Sequence, residues 1–98
     1  MENLDNTFNE FTITFDNFEE DKLNLFYEKI DERIRNKEKE IILNMKNLSS
    51  INSSFLAKLL YFQKKANKFN GKIIIINLNE NLKKIFLSLK FDEIFIVK

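Results

Sequence analysis

Residues 41–60 read IILNMKNLSSINSSFLAKLL, and the order of residue types in this stretch decides the fold. Ile41, Ile42, Leu43 and Met45 make a near-continuous apolar run of strand length, the pattern of a strand covered on both faces. Residues 47–52 are rich in Asn and Ser, whose side chains hydrogen-bond the local backbone and favour loops. Phe55, Leu56, Leu59, Leu60, Phe62, Ala66 and Phe69 then recur at helical spacing and predict a helix over residues 52–69. A strand thus hands over to a helix through a short polar loop.

The same alternation continues outward in both directions. Toward the C-terminus, Asn70 and Gly71 supply a helix stop, since both residue types tolerate the left-handed backbone conformation. Residues 73–76 are four isoleucines, a buried β-branched strand. Leu82, Ile85, Phe86 and Leu89 place one apolar face on a short helix over residues 80–89, and residues 94–97 close the chain as a last strand. Toward the N-terminus, residues 37–40 form a charged linker. Leu23, Phe26, Tyr27, Ile30 and Ile34 predict an amphipathic helix over residues 20–36, with acids in its first turn and bases toward its end, as the helix dipole favours. Phe11, Ile13 and Phe15 alternate with Thr12, Thr14 and Asp16, the period of a strand buried on one face. Residues 1–7 are polar and unpatterned and read as a loose end or a short edge strand. Strands alternating with helices call for an α/β domain with right-handed crossovers. The expectation is one domain over residues 1–98, with a mostly parallel sheet of four to five strands and helices packed on it.

Composition narrows the chemistry. A chain of 98 residues, 44% hydrophobic with eleven Phe, supports one core. It has no Cys and no His, which removes disulfides, thiolate or imidazole nucleophiles and the commonest zinc ligands. A single glycine, Gly71, cannot build a Gly-rich phosphate cradle. No catalytic residue, metal site or cofactor is expected, and the chain reads as a binding protein rather than an enzyme. The apolar run 73–76 falls far short of the roughly 20 residues that span a bilayer, and Met1 leads into polar sequence. The expectation is therefore neither a membrane span nor a signal peptide, and a cytoplasmic location. Residues 1–40 carry twelve acids and six bases, whereas residues 41–98 carry ten Lys, three acids and no Arg. Without Arg forks or free aromatics the basic half reads as a solvated surface, not a nucleic-acid interface.

The segment 41–60 resembles the signature of the STAS family, which includes the bacterial anti-sigma factor antagonists. In that family a hydrophobic strand ends near Asp or Asn, and Asp-Ser-Ser-Gly opens the following helix. Here Asn44 ends the strand, and Asn52, Ser53, Ser54 and Phe55 open the helix. Asn70 and Gly71 resemble the family's next turn, and the likeness runs over residues 38–98. It implies a STAS fold and a protein partner: an anti-sigma factor acting as a serine kinase. It assigns the phosphorylated serine to Ser53 and partner contact to Asn52, Ser53, Ser54, Phe55 and Lys58. Asn52 replaces the family's Asp, and Phe55 replaces its Gly. A second function open to small STAS proteins is docking on the ATPase of a lipid-transport ABC complex. The chain also ends before the last helix that many members carry, which would leave apolar sheet surface for a partner or a second copy, so that a dimer is possible.

Each of these residues has a plainer reading. Ser53 before an apolar helical run is first of all an N-cap, and Ser49, Ser50 and Ser54 are loop hydrogen-bonders. Phe55, Tyr61 and Phe62 are core by their spacing, with Tyr61 the one expected at the surface. Lys58, Lys64, Lys65 and Lys68 lie along one helix, where they solubilise the surface or meet an acidic partner.

Overall fold

Strands adjacent in sequence are adjacent in space in the computed structural model of the chain, which describes residues 10–12 and 19–98. The elements are β1 (Glu10–Thr12), α1 (Glu20–Arg35), β2 (Glu40–Asn44), α2 (Ser53–Ala66), β3 (Lys72–Ile76), α3 (Glu80–Ser88) and β4 (Ile96–Val97). Short 3₁₀ turns, Asn67–Phe69 and Phe91–Glu93, follow α2 and α3. The sheet order is β1-β2-β3-β4 and every pairing is parallel, with Ile41 opposite Ile73 and Ile74 opposite Ile96. Parallel neighbours require a crossover between them, and the three helices supply it. An α/β architecture with a parallel sheet and packed helices is therefore present. Ile13, Phe15 and residues 1–7 lie outside the described residues.

One face of the sheet carries the core. Ile41, Leu43, Ile73 and Ile75 each expose nothing and pack in one cluster with Phe26, Ile30 and Ile34 of α1, Phe55, Leu59 and Phe62 of α2, and Leu82 and Phe86 of α3. The residues of opposite parity fare differently. Ile42 and Ile76 are half-buried and Ile96 is exposed, although Ile74 is buried outside that cluster. The described helices account for cover on one face of the strand expected to be covered on both: their buried apolar residues cluster with the odd-numbered strand residues.

Two helix ends depart from the sequence reading for steric reasons. Of the pair Asn70 and Gly71, only Asn70 takes the left-handed conformation (φ 64°), and the glycine serves close approach instead. A Cβ on Gly71 would lie 2.6 Å from a ring carbon of Phe69 and 3.2 Å from the carbonyl oxygen of Glu38. At the C-terminus, Lys90 turns the chain with φ 62°. Phe91 and Phe95 then stack edge-on in series against Phe86, with centroids 5.5 and 5.7 Å apart. Of the residues expected to open the last strand, Ile94 ends the 3₁₀ turn and Phe95 anchors it, which leaves Ile96–Val97 for β4.

The side chain of Gln63, 1% exposed, joins α2 to β3. Its Oε1 accepts from the Ile73 amide at 2.8 Å, and its Nε2 donates to the carbonyl of Gly71 at 3.0 Å and to Asn67 Oδ1 at 2.8 Å. Gln63 thereby satisfies backbone groups at the entry to β3, where burial excludes water. Replacing Gln63 by Leu keeps the volume but strands two buried backbone groups, and should cost about 2–4 kcal/mol in urea unfolding. A loss below about 0.5 kcal/mol would show that the amide is not needed.

Candidate functional site

The carboxyl edge of a parallel sheet is where open α/β folds gather their functional loops, and here asparagines tie those loops together. Asn44, at the end of β2, is buried. Its Oδ1 accepts from the Lys46 amide at 3.1 Å and from Asn77 Nδ2 at 3.2 Å. Asn77 reaches it from a left-handed turn after β3, at φ 63°. Asn79 caps α3 by accepting from the Leu82 amide at 2.8 Å, and its Nδ2 donates to the Leu48 carbonyl at 3.4 Å. Leu48 is itself buried. The loop between β2 and α2 is thus held at both its backbone and its apolar foot, while Ser49, Ser50, Asn52, Ser53 and Ser54 face solvent.

The tip of α2 is built by Asn52 rather than by a serine. Asn52 is extended (φ −134°, ψ 171°), and its Oδ1 accepts from the Phe55 amide at 2.8 Å, a standard N-cap bond. Its carbonyl accepts from the Leu56 amide at 3.1 Å. Ser53 is the first helical residue, so the reading of Ser53 as the cap is corrected by one position. Its hydroxyl is left on the exposed rim, where the amides of a helix's first turn have no intrahelical partner. The first turn contains no acid.

Of the five residues assigned to partner contact, Asn52, Ser53 and Ser54 are exposed, Lys58 is half-buried, and Phe55 is fully buried. The ring of Phe55 lies 6.1 Å from that of Phe26 and 6.5 Å from that of Tyr27, near-parallel to both. Phe55 accordingly offers no side-chain surface to a partner. Its bulk, where the family pattern has Gly, is turned into the core and does not obstruct the tip. Phe62 is buried likewise, and only Tyr61, at 49% exposure, belongs to a surface aromatic patch.

A groove runs between α1 and α2 beside this tip, with a cavity of about 340 Å³ that opens to solvent. Asn24, Tyr27, Glu28 and Asp31 line it from α1, and Lys58, Tyr61, Phe62 and Lys65 from α2. Lys58 Nζ lies 5.3, 5.1 and 5.4 Å from the ring centroids of Tyr27, Tyr61 and Phe62, within cation–π range of all three. Lys65 Nζ is 3.1 Å from Asp31 Oδ1 and 5.3 Å from the Tyr61 centroid. Its bond to the Asp31 carboxylate raises the Lys65 pKa above the ordinary 10.5, and burial raises that of Tyr27 above 10.0. Lys64 and Lys68, by contrast, are exposed.

The groove was missed in the sequence. Positions 58, 61, 62 and 65 form one helical face, and 24, 27, 28 and 31 another. That these two faces oppose each other is tertiary information. Among the described residues, no cluster of three or more acidic, His or Cys side chains could hold a metal, and no helix is long and apolar enough to cross a membrane.

The sequence profile of the STAS domain matches residues 21–98. No curated protein and no solved structure gives a match.

Phe55→Ala should cost about 3–5 kcal/mol of stability by opening a cavity between α1 and α2, and Asn52→Ala about 1 kcal/mol, with Asn52→Asp restoring the cap. Chemical denaturation would measure both, and a Phe55→Ala loss under about 1 kcal/mol would contradict the packing described. The raised pKa values of Tyr27 and Lys65 mean that the folded chain holds these protons more tightly than the unfolded one. Their contribution is complete below about pH 10 and is lost as pH rises through the raised values. Melting temperature should therefore fall above about pH 10, less steeply in Asp31→Asn, and identical alkaline slopes for the two proteins would refute the Lys65 part.

Proposed function

Because the chain belongs to the STAS domain family, we propose that it is a cytoplasmic regulator of the anti-sigma factor antagonist type, which binds an anti-sigma factor with serine-kinase activity through the tip and first turns of α2. STAS domains are regulatory rather than catalytic, and the reading needs no chemistry from this chain. The observation that carries it is the placement of Ser53 and Ser54 as adjacent exposed hydroxyls on a rigidly capped helix tip beside half-buried Lys58. In this reading the full STAS fold, with a mostly parallel sheet of four to five strands, serves to present that tip.

The same placement supports Ser53 as the modified residue. A phosphoryl group there adds about −1.5 to −2 charges at the positive end of the helix dipole, so folding tolerates it. A partner packed on the tip does not, because it would have to desolvate a dianion. The family's Asp is replaced by Asn52, which performs the capping part of that role with its amide oxygen. The orientation of the serine then rests on the cap rather than on a neighbouring charge.

Isolating the chain from its own cells with whatever co-purifies, and identifying both by mass spectrometry, gives the partner and the state of Ser53. A kinase-type anti-sigma factor supports the proposal. A transporter ATPase without such a kinase would favour the ABC-complex reading, and a doubled native mass would reveal a dimer. With the partner in hand, Ser53→Asp should weaken binding about tenfold or more, roughly 1.4 kcal/mol, with no loss of thermal stability. Equal affinity for the two forms would argue against a phosphoswitch.

A further inference from the structure

Lys58 is a cation held in place but not neutralised. Three rings fix the position of its ammonium, yet among the described residues no carboxylate forms an ion pair with it. Of the two acids on the facing wall, Glu28 and Asp31, the latter is engaged by Arg35 at 2.9 Å and by Lys65 at 3.1 Å. The ordering of a long side chain normally weakens a surface ion pair. Here most of that ordering precedes binding, as in any preorganised site.

The geometry points to the groove between α1 and α2 as the seat of an acidic side chain, Glu or Asp, carried on an apolar stretch of the protein partner. This rests on the partner-binding reading above and adds what the partner must present. Charge selects the acid: α2 has no acidic residue anywhere between Ser53 and Ala66, so its wall of the groove is uniformly positive. The acids of the groove, Glu28 and Asp31, both lie on the α1 wall, so an incoming carboxylate is favoured on the α2 side, at Lys58. Shape selects the apolar neighbour. Tyr61 lies half-exposed beside Lys58, a flat ring of the type most enriched in binding hot spots. The cavity has room for side chains and is open along the surface, which suits a peptide segment better than an enclosed metabolite.

The test is a titration of the isotope-labelled full chain with the capped tripeptide Leu-Glu-Phe, followed by amide chemical shifts. The same peptide with Gln in place of Glu serves as the uncharged control. Saturable shifts should appear at Tyr27, Lys58 and Tyr61, with affinity about fivefold higher for the Glu peptide at low salt, the upper range for an exposed charge pair. Lys58→Gln should abolish the preference for Glu, and Lys58→Arg, which keeps the charge, should retain it. Tyr61→Ala should weaken both peptides. Ser53→Asp should leave the shifts in place, so failure of the phosphoswitch and failure of this site are read separately. No binding of the Glu peptide to the natural chain, equal affinity for the two peptides, or a preference that survives Lys58→Gln would overturn the proposal. Loss of binding in Ser53→Asp alone would place the acid at the helix tip and overturn it as well.

Discussion

Three residues after the cap of α2, the ring of Phe55 is inserted between that helix and α1, in near-parallel contact with Phe26 and Tyr27 and without exposed surface. A helix has about 3.6 residues per turn, so fixing the inward direction at position 55 fixes the outward direction at 53 and 54. The cap bond from Asn52 to the same residue's amide determines where the helix begins. Two ring contacts and one hydrogen bond, converging on Phe55, thus dictate which hydroxyls reach solvent. The α1–α2 groove depends on the same packing, since the Tyr27 ring neighbours those of Phe55 and Phe62 as well as the Lys58 ammonium.

Amide side chains carry much of the remaining precision. Asn44, Asn77 and Asn79 tie together the loops leaving β2 and β3, and Gln63 completes the hydrogen bonding where β3 begins. With a single glycine in the chain, left-handed turns among the described residues fall to Lys37, Asn70, Asn77 and Lys90. Asn is the non-glycine residue best suited to that conformation, because its short polar side chain can bond the local backbone. The abundance of Asn is therefore partly structural at these positions.

Periodicity made the helices and the central strands legible, since the burial of one face imposes a spacing that survives in sequence. It predicted α1 and α2 closely, but not the end of the chain, because residues 94–97 have the composition of a strand while Phe95 is needed as an anchor for the turn. The glycine at 71 was recognised for the wrong property: sequence exposes the absence of a Cβ, not whether rotation or proximity requires it. At the site, the tip of α2 could be read from its local pattern. The cap assignment was off by one residue, whereas the inward turn of Phe55 and the exposure of Tyr61 followed from helical spacing. The Lys58 groove was illegible because its two walls are separate stripes, each indistinguishable alone from an ordinary solvated helix face.

Amide hydrogen exchange of the chain, alone and with its co-purified partner, tests the account most directly. Docking on the tip and groove predicts slowed exchange in the first turns of α2 and along the facing side of α1. The exposed apolar residues of α3 and β4, Ile85, Leu87 and Ile96, would be unaffected. Protection confined to α3 and β4, with α2 exchanging as in the free chain, would contradict it.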